Sequence, residues 1–255
     1  MARGTGSDIP VAELGNLAAA KAPTVIDAGG HSSIQVPGGT FLLDAQYERH
    51  GNDLELVGAD GSRVLIHDYF RTDHPPALTN GAGATISPEL ATTLAGPRAA
   101  GQFAQVNGGS GLIEIGFVDK LTGTVKVRHA DGTVTTLAKG QPVYKGDVLE
   151  TSDGGGVGLV FADRSTFSLG SKGRMTLDDL VYDPNTKEGS STMSVVKGAF
   201  SFVSGQTAKI GPDAAVIKTP VMTIGIRGTS ASGEVSETGQ TEIVLIPDPD
   251  GRIGE

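Results

Sequence analysis

Polar and apolar residues alternate with a period of two along most of this chain, in short runs closed by Asp-Gly, Pro-Gly and Gly-Gly pairs. A period of two turns one face of each run inward and the other outward, which marks half-buried strands rather than helices. The pattern predicts strands over 33–36 and 40–43, split by Pro37-Gly38-Gly39, and a hairpin of 53–57 and 63–67 about Asp60-Gly61. From Arg71 to Gly111 the period stops, punctuated by Pro75-Pro76, Gly81, Gly83, Pro97 and Gly108-Gly109. One short helix is predicted there over 88–94, with Ser87 as N-cap, Pro88 at the first helical position and Glu89 at the positive end of the dipole. Strands then follow quickly: 124–129 and 133–137 about Asp131-Gly132, 148–151 and 157–161 about Asp153-Gly154-Gly155-Gly156, and 165–169 after Asp163-Arg164. Further runs lie at 175–181, 192–196, 199–203, 214–219, 221–226 and 241–246.

These runs predict an all-β fold of many short antiparallel strands, in a sandwich or roll, because no helix-period segment separates them into βαβ units. The expected organisation is a disordered N-terminus over 1–22, a small β segment over 23–70, a linker with the short helix over 71–111, and a β domain from 112 to 255 whose end can extend beyond this chain. The turns Ala59-Asp60-Gly61-Ser62, Ala130-Asp131-Gly132-Thr133 and Ala162-Asp163-Arg164-Ser165 echo one another, as expected where Asp-Gly is the favoured tight turn.

Composition narrows the chemistry. Aromatics are 5% of residues and Trp is absent, so the core is built from Val, Ile, Leu and Ala. A net charge of −9 repels phosphate backbones and anionic lipid, which argues against a nucleic-acid partner. The absence of cysteine excludes disulfides, thiolate metal sites and a Cys nucleophile. No apolar run is long enough to span a membrane, and residues 1–27 show no Sec-type signal pattern. Either the chain stays in the cytoplasm, or it reaches the cell envelope or the exterior by a signal-peptide-independent route; these observations leave both open.

The five histidines, His31, His50, His67, His74 and His129, stand at no metal-ligand spacing. Asp178-Asp179 and Asp183 read as solvated acids at strand ends, and Asp248-Pro249-Asp250-Gly251 as a turn that lacks the spacing of a calcium loop. Gly228-Thr229-Ser230-Ala231-Ser232 lacks the closing glycine and helix of a nucleophile elbow. No catalytic residue, cofactor or metal ligand is expected, and no carboxylate pair suggests a glycosidase.

An ordered set of short motifs does stand out. Gly123-Thr124-Val125-Lys126-Val127 is followed by Gly146-Asp147-Val148-Leu149-Glu150-Thr151, then Val160-Phe161-Ala162-Asp163, Val196-Lys197-Gly198-Ala199-Phe200, Ile217-Lys218-Thr219-Pro220 and Ile224-Gly225-Ile226-Arg227-Gly228-Thr229. This order resembles the FecR domain over roughly half of the chain. The resemblance implies a FecR-type β sandwich or roll, with Gly146, Asp147, Thr151, Thr219, Pro220, Arg227, Gly228 and Thr229 as signature residues whose role is structural. Gly146 would supply a turn, Pro220 a strand end, and Arg227 a partner for a buried acid or for carbonyls.

FecR proteins relay a signal from an outer-membrane receptor to a sigma factor through a cytoplasmic segment and a transmembrane helix. Neither stands at the expected place here, so the resemblance implies the fold more than the circuit. The stretches Phe161–Leu169, Arg174–Pro184 and Phe202–Gly205 are similar to FecR domains near the N-terminus of large, acidic, cysteine-poor surface proteins exported by type I secretion, and 52–70 resembles the prefix segment of such adhesins. The expected function is a non-enzymatic anchoring or interaction module of an exported, adhesin-like envelope protein with a protein partner there. The alternative is an envelope sensor acting on a sigma factor. Ala99-Ala100 ahead of Gly101 also resembles a small-residue site at which some adhesins are cut by a calpain-like protease, although plain linker is the simpler reading.

Overall fold

The computed structural model of the chain describes residues 23–246, except 73, 97–111, 184, 187, 212 and 229. The expected disordered N-terminus over 1–22 and the Ala99-Ala100 pair lie outside the described residues.

The first unit holds β1 (Thr24–Asp27), β2 (Ser33–Gln35), α1 (Phe41–Asp44), β3 (Gln46–His50), β4 (Asp53–Val57), β5 (Arg63–His67), β6 (Ala77–Thr79), β7 (Thr85–Ile86) and α2 (Pro88–Ala95). Four strands form a sheet in the order β1-β5-β4-β3, in which β1 runs parallel to β5 and the others are antiparallel. A second small sheet has the order β2-β6-β7. Leu54, Leu56, Val64 and Ile66 point to the inner face and pack with Leu42, Leu43, Tyr47, Tyr69, Leu78, Ile86 and Leu94 in one buried cluster.

Two expectations fail here. Residues 40–43, expected as a strand, form the single turn α1, because Leu42 and Leu43 are both fully buried. Consecutive inward residues contradict a half-buried strand and suit a helical turn wedged into a core. The described part of 71–111, expected as linker, is folded: β6, β7 and α2 supply Leu78, Ala84, Ile86, Ala91 and Leu94 to the core. Strands of two and three residues are too short to print a period on the sequence. The helix itself has the expected cap, with the Ser87 hydroxyl accepting from the Leu90 N–H at 3.2 Å.

The second unit holds β8 (Glu114–Thr122), β9 (Val125–Arg128), β10 (Val134–Thr136), β11 (Pro142–Tyr144), β12 (Val148–Thr151), β13 (Gly156–Phe161), β14 (Thr166–Leu169), β15 (Arg174–Asp183), β16 (Glu188–Val203), β17 (Ala215–Lys218), β18 (Thr223–Gly225), β19 (Ser230–Val235) and β20 (Thr241–Ile246). Its architecture is the all-β one expected, a large curled sheet whose pairs are antiparallel apart from β16–β17. β16 belongs to both halves. Its first part pairs with β15 and β17, and its second with β14 and β19. The halves face each other across one core that runs from Val125, Val127 and Leu149 to Phe161, Phe167, Phe200 and Phe202.

β16 changes partners at Gly198, whose φ is +100° and whose missing side chain would stand 2.6 Å from the Gly173 Cα. Only glycine meets both the backbone angle and the close approach. The three echoing turns share a geometry: Asp60, Asp131 and Asp163 each accept the N–H two residues on, at 3.0, 2.9 and 2.9 Å. The third residue takes positive φ in each, and at Arg164 it does so without being glycine.

Candidate functional site

Most signature positions are committed to turns. Gly146 has φ +82°, and its N–H donates to the Leu177 carbonyl at 2.7 Å. Asp147 beside it is fully buried. One carboxylate oxygen accepts the Tyr144 N–H at 2.8 Å and the other lies 2.8 Å from His129 Nδ1. Burial pushes the Asp147 carboxyl above the ordinary aspartate range, while the Tyr144 N–H and His129 pull it back. The Thr151 hydroxyl donates to the Gly170 carbonyl and accepts the Gly173 N–H at 2.8 Å, tying β12 to the loop before β15. Thr219 closes a turn with Met222 through its N–H at 2.8 Å and its hydroxyl at 3.2 Å.

Arg227 departs from expectation. It is exposed and makes no ion pair among the described residues, and Gly228 follows at φ +66°. Thr229 lies outside the described residues.

Residues 147–247 match the family described as FecR protein. The matched segment opens on Asp147, and β8–β11 lie ahead of it although they pair into the same sheet. A solved structure titled "Cell surface anchoring domain" is similar at 31% identity over 24% of this chain and 80% of its own length, with a TM-score of 0.24, too low to carry an argument. The comparison with curated proteins finds no match.

The second unit is joined to the first by a polar seam. Arg174 on β15 is 3% exposed, and its guanidinium donates to the Leu43 and Ala45 carbonyls at 3.0 and 2.9 Å and to the Asp44 carbonyl at 3.4 Å. These are the orphan acceptors at the end of α1, so an arginine from the second unit caps a helical turn of the first. Its Nε stands 2.8 Å from Glu150 Oε1, an ion-pair contact outside hydrogen-bonding angle. Lys197 on β16 pairs with the Asp44 carboxylate, and Arg128 on β9 donates to the Leu94 carbonyl near the end of α2. Val148 and Val196 insert into the first unit's core. The signature residue Pro220 joins the seam through its carbonyl, which accepts the Thr85 N–H at 2.8 Å. Asn80 closes the far end by donating to the Thr238 carbonyl at 3.2 Å.

Neither Arg174 nor Arg128 stood out in the sequence. The available signal was a lone arginine opening an apolar strand, as in Arg174-Met175-Thr176-Leu177, where a free charge would be costly.

Two arrangements bear on chemistry. Asp147, His129 and Thr135 stand in the order of a hydrolytic relay, but the Thr135 hydroxyl is 3.4 Å from His129 Nε2. It sits on β10, the outermost strand, whose three residues are all exposed, and this gives a substrate no enclosed floor. The His129–Asp147 pair, with the Tyr144 ring edge-on to His129, instead locks two turns together.

The acids of β15 also part company. Asp178 accepts the Thr176 and Ser194 hydroxyls, Asp179 pairs with Lys145 at 2.9 Å, and Asp183 accepts the Asn185 N–H at 2.8 Å. Burial raises Asp178 above the ordinary aspartate range against those two hydroxyl donors. A raised carboxyl binds its proton more tightly in the folded state, so its contribution is favourable at low pH and is lost as pH rises through the raised value. Asp178→Asn is therefore expected to gain on the wild type as pH rises from about 4 to 7. Urea unfolding of both proteins at the two pH values tests this. A wild-type advantage that grows with pH would show that the ionised carboxylate is the favoured form.

Proposed function

We propose that the chain is a non-enzymatic FecR-type β module that serves as an anchoring or interaction unit of an exported, adhesin-like cell-envelope protein. The observation that carries this reading is the commitment of the signature residues: Gly146, just ahead of the matched segment, and Asp147, Thr151, Thr219 and Pro220 within it hold turns and the seam instead of converging on a reaction centre. Contact with a protein partner would use apolar side chains left at the surface. β20, at the end of its half of the sheet, exposes Val244 (64%) and Leu245 (41%). In this reading the chain works by shape and adhesion, and the acidic, cysteine-free composition suits export before folding. Among the described residues no helix is long and apolar enough to cross a membrane.

The test is a fusion of the chain ahead of a reporter passenger exported by a type I system. The fraction of passenger retained on washed cells is expected to rise with the module present and to fall with Val244→Lys and Leu245→Lys. Equal release with and without the module would defeat the reading. Activation of a sigma-dependent reporter by the chain would favour the sensor role instead.

A further inference from the structure

We propose that Glu48, His50 and Glu55 form a zinc-class divalent cation site on the outer face of the first unit's sheet. Sequence spacing hides the group, because two ligands alternate on β3 and the third lies across the strand pair. Glu48 is directly opposite Glu55 in the β3–β4 register. Like charges in that position repel, and Glu55 is 5% exposed, so the pair requires a positive partner between its oxygens. One Glu55 oxygen has such a partner, since Arg63 Nε lies 2.7 Å from Oε1. The other, Oε2, faces His50 Nε2 at 3.1 Å, and the same nitrogen stands 3.3 Å from Glu48 Oε2.

Those separations suit a metal. Zinc held tetrahedrally with arms of about 2.0–2.1 Å sets neighbouring ligand atoms roughly 3.3–3.4 Å apart. The three donor atoms lie within 4.8 Å of one another, so each needs to move only slightly to share an ion. Arg63 would orient the Glu55 carboxylate from behind, as outer-shell partners do at metal sites. With His50 and Glu48 at the surface the ion has an entry path, and a fourth position stays open to water or to a ligand from another molecule. One imidazole and two carboxylates favour zinc or a similar borderline ion over magnesium or calcium, which prefer all-oxygen cages.

A second group, Asp53, His67 and Asp68, lies within the same reach, but its acids are engaged. Asp53 accepts the Asp68 N–H at 2.7 Å, and the Asp68 carboxylate holds Arg71 at 2.9 Å. It therefore serves as the internal control.

The experiment is calorimetric titration of the whole chain with zinc chloride in a non-chelating buffer at neutral pH, with a parallel thermal melt. One equivalent is expected to bind and to raise the melting temperature, and EDTA should reverse the shift. His50→Gln and Glu48→Gln, both at exposed positions that folding tolerates, should each weaken binding by at least about tenfold, the loss typical of even an outer-shell change. His67→Gln should leave it unchanged, and magnesium chloride should give no shift. Absence of saturable zinc binding would overturn the site and leave His50 Nε2 simply shared between the two glutamates. Binding that survives His50→Gln, or is lost with His67→Gln, would overturn the assignment.

Discussion

Arg174→Met is expected to cost about 3–5 kcal/mol of folding stability, the range seen when one partner of a buried charged cluster is removed. Methionine roughly conserves the apolar volume of the arginine stem, so the loss reports the guanidinium rather than a cavity. It leaves the carbonyls of Leu43, Asp44 and Ala45 without their donors at a buried helix end, and Glu150 without its facing charge. Because those carbonyls belong to the first unit and the arginine to the second, the effect should also be local. Amide hydrogen exchange over 42–47 should accelerate more than exchange within β15, and urea unfolding should show the global loss. A cost below about 1 kcal/mol, or unchanged exchange at α1, would mean that the seam is held by Val148 and Val196 alone.

The second large effect is expected at Gly198. Gly198→Ala places a methyl group 2.6 Å from the Gly173 Cα at a φ of +100°, so backbone must move against backbone. Left-handed strain costs on the order of 1–2 kcal/mol for an L-residue and overpacking adds typically 1–3 kcal/mol, for a total of about 3 kcal/mol or more. Gly154→Ala is the matched control, with φ +66° and open space around the added methyl group, and its loss should be limited to the conformational part. Chemical denaturation of the two variants measures the difference. Equal losses would show that the approach of β16 to Gly173 relaxes without cost.

The sequence read most clearly where one side of the backbone is wet. β5, β13 and β14 alternate as the period-two rule requires, and their Asp-led turns fall where the residues place them. Ser87-Pro88-Glu89 announced α2 by its cap chemistry alone. What escaped notice depends on contacts between residues far apart in the chain. Leu42 and Leu43 are helical because both meet the core, β7 is held between β6 and the distant Pro220 carbonyl, and Arg174 finds its acceptors only at the end of α1. The candidate metal ligands were equally silent, since Glu48 and Glu55 become neighbours only through the β3–β4 register. The signature motifs pointed to the right segment, yet they marked its turns and not the surface through which it would act.

Membership of β16 in both halves of the sandwich has a kinetic consequence. A sandwich whose halves are separate hairpin stacks can assemble each half independently, but here neither half closes until the same strand is seated between β15 and β17 on one side of Gly198 and between β14 and β19 on the other. The parallel β16–β17 pair also demands a crossover that no tight turn provides. Pairing with β15 is a local hairpin, whereas pairing with β17, β14 and β19 is non-local, of the kind that slows folding. Until β16 is seated between all four partners, the edges of β14, β15, β17 and β19 that face it stay open.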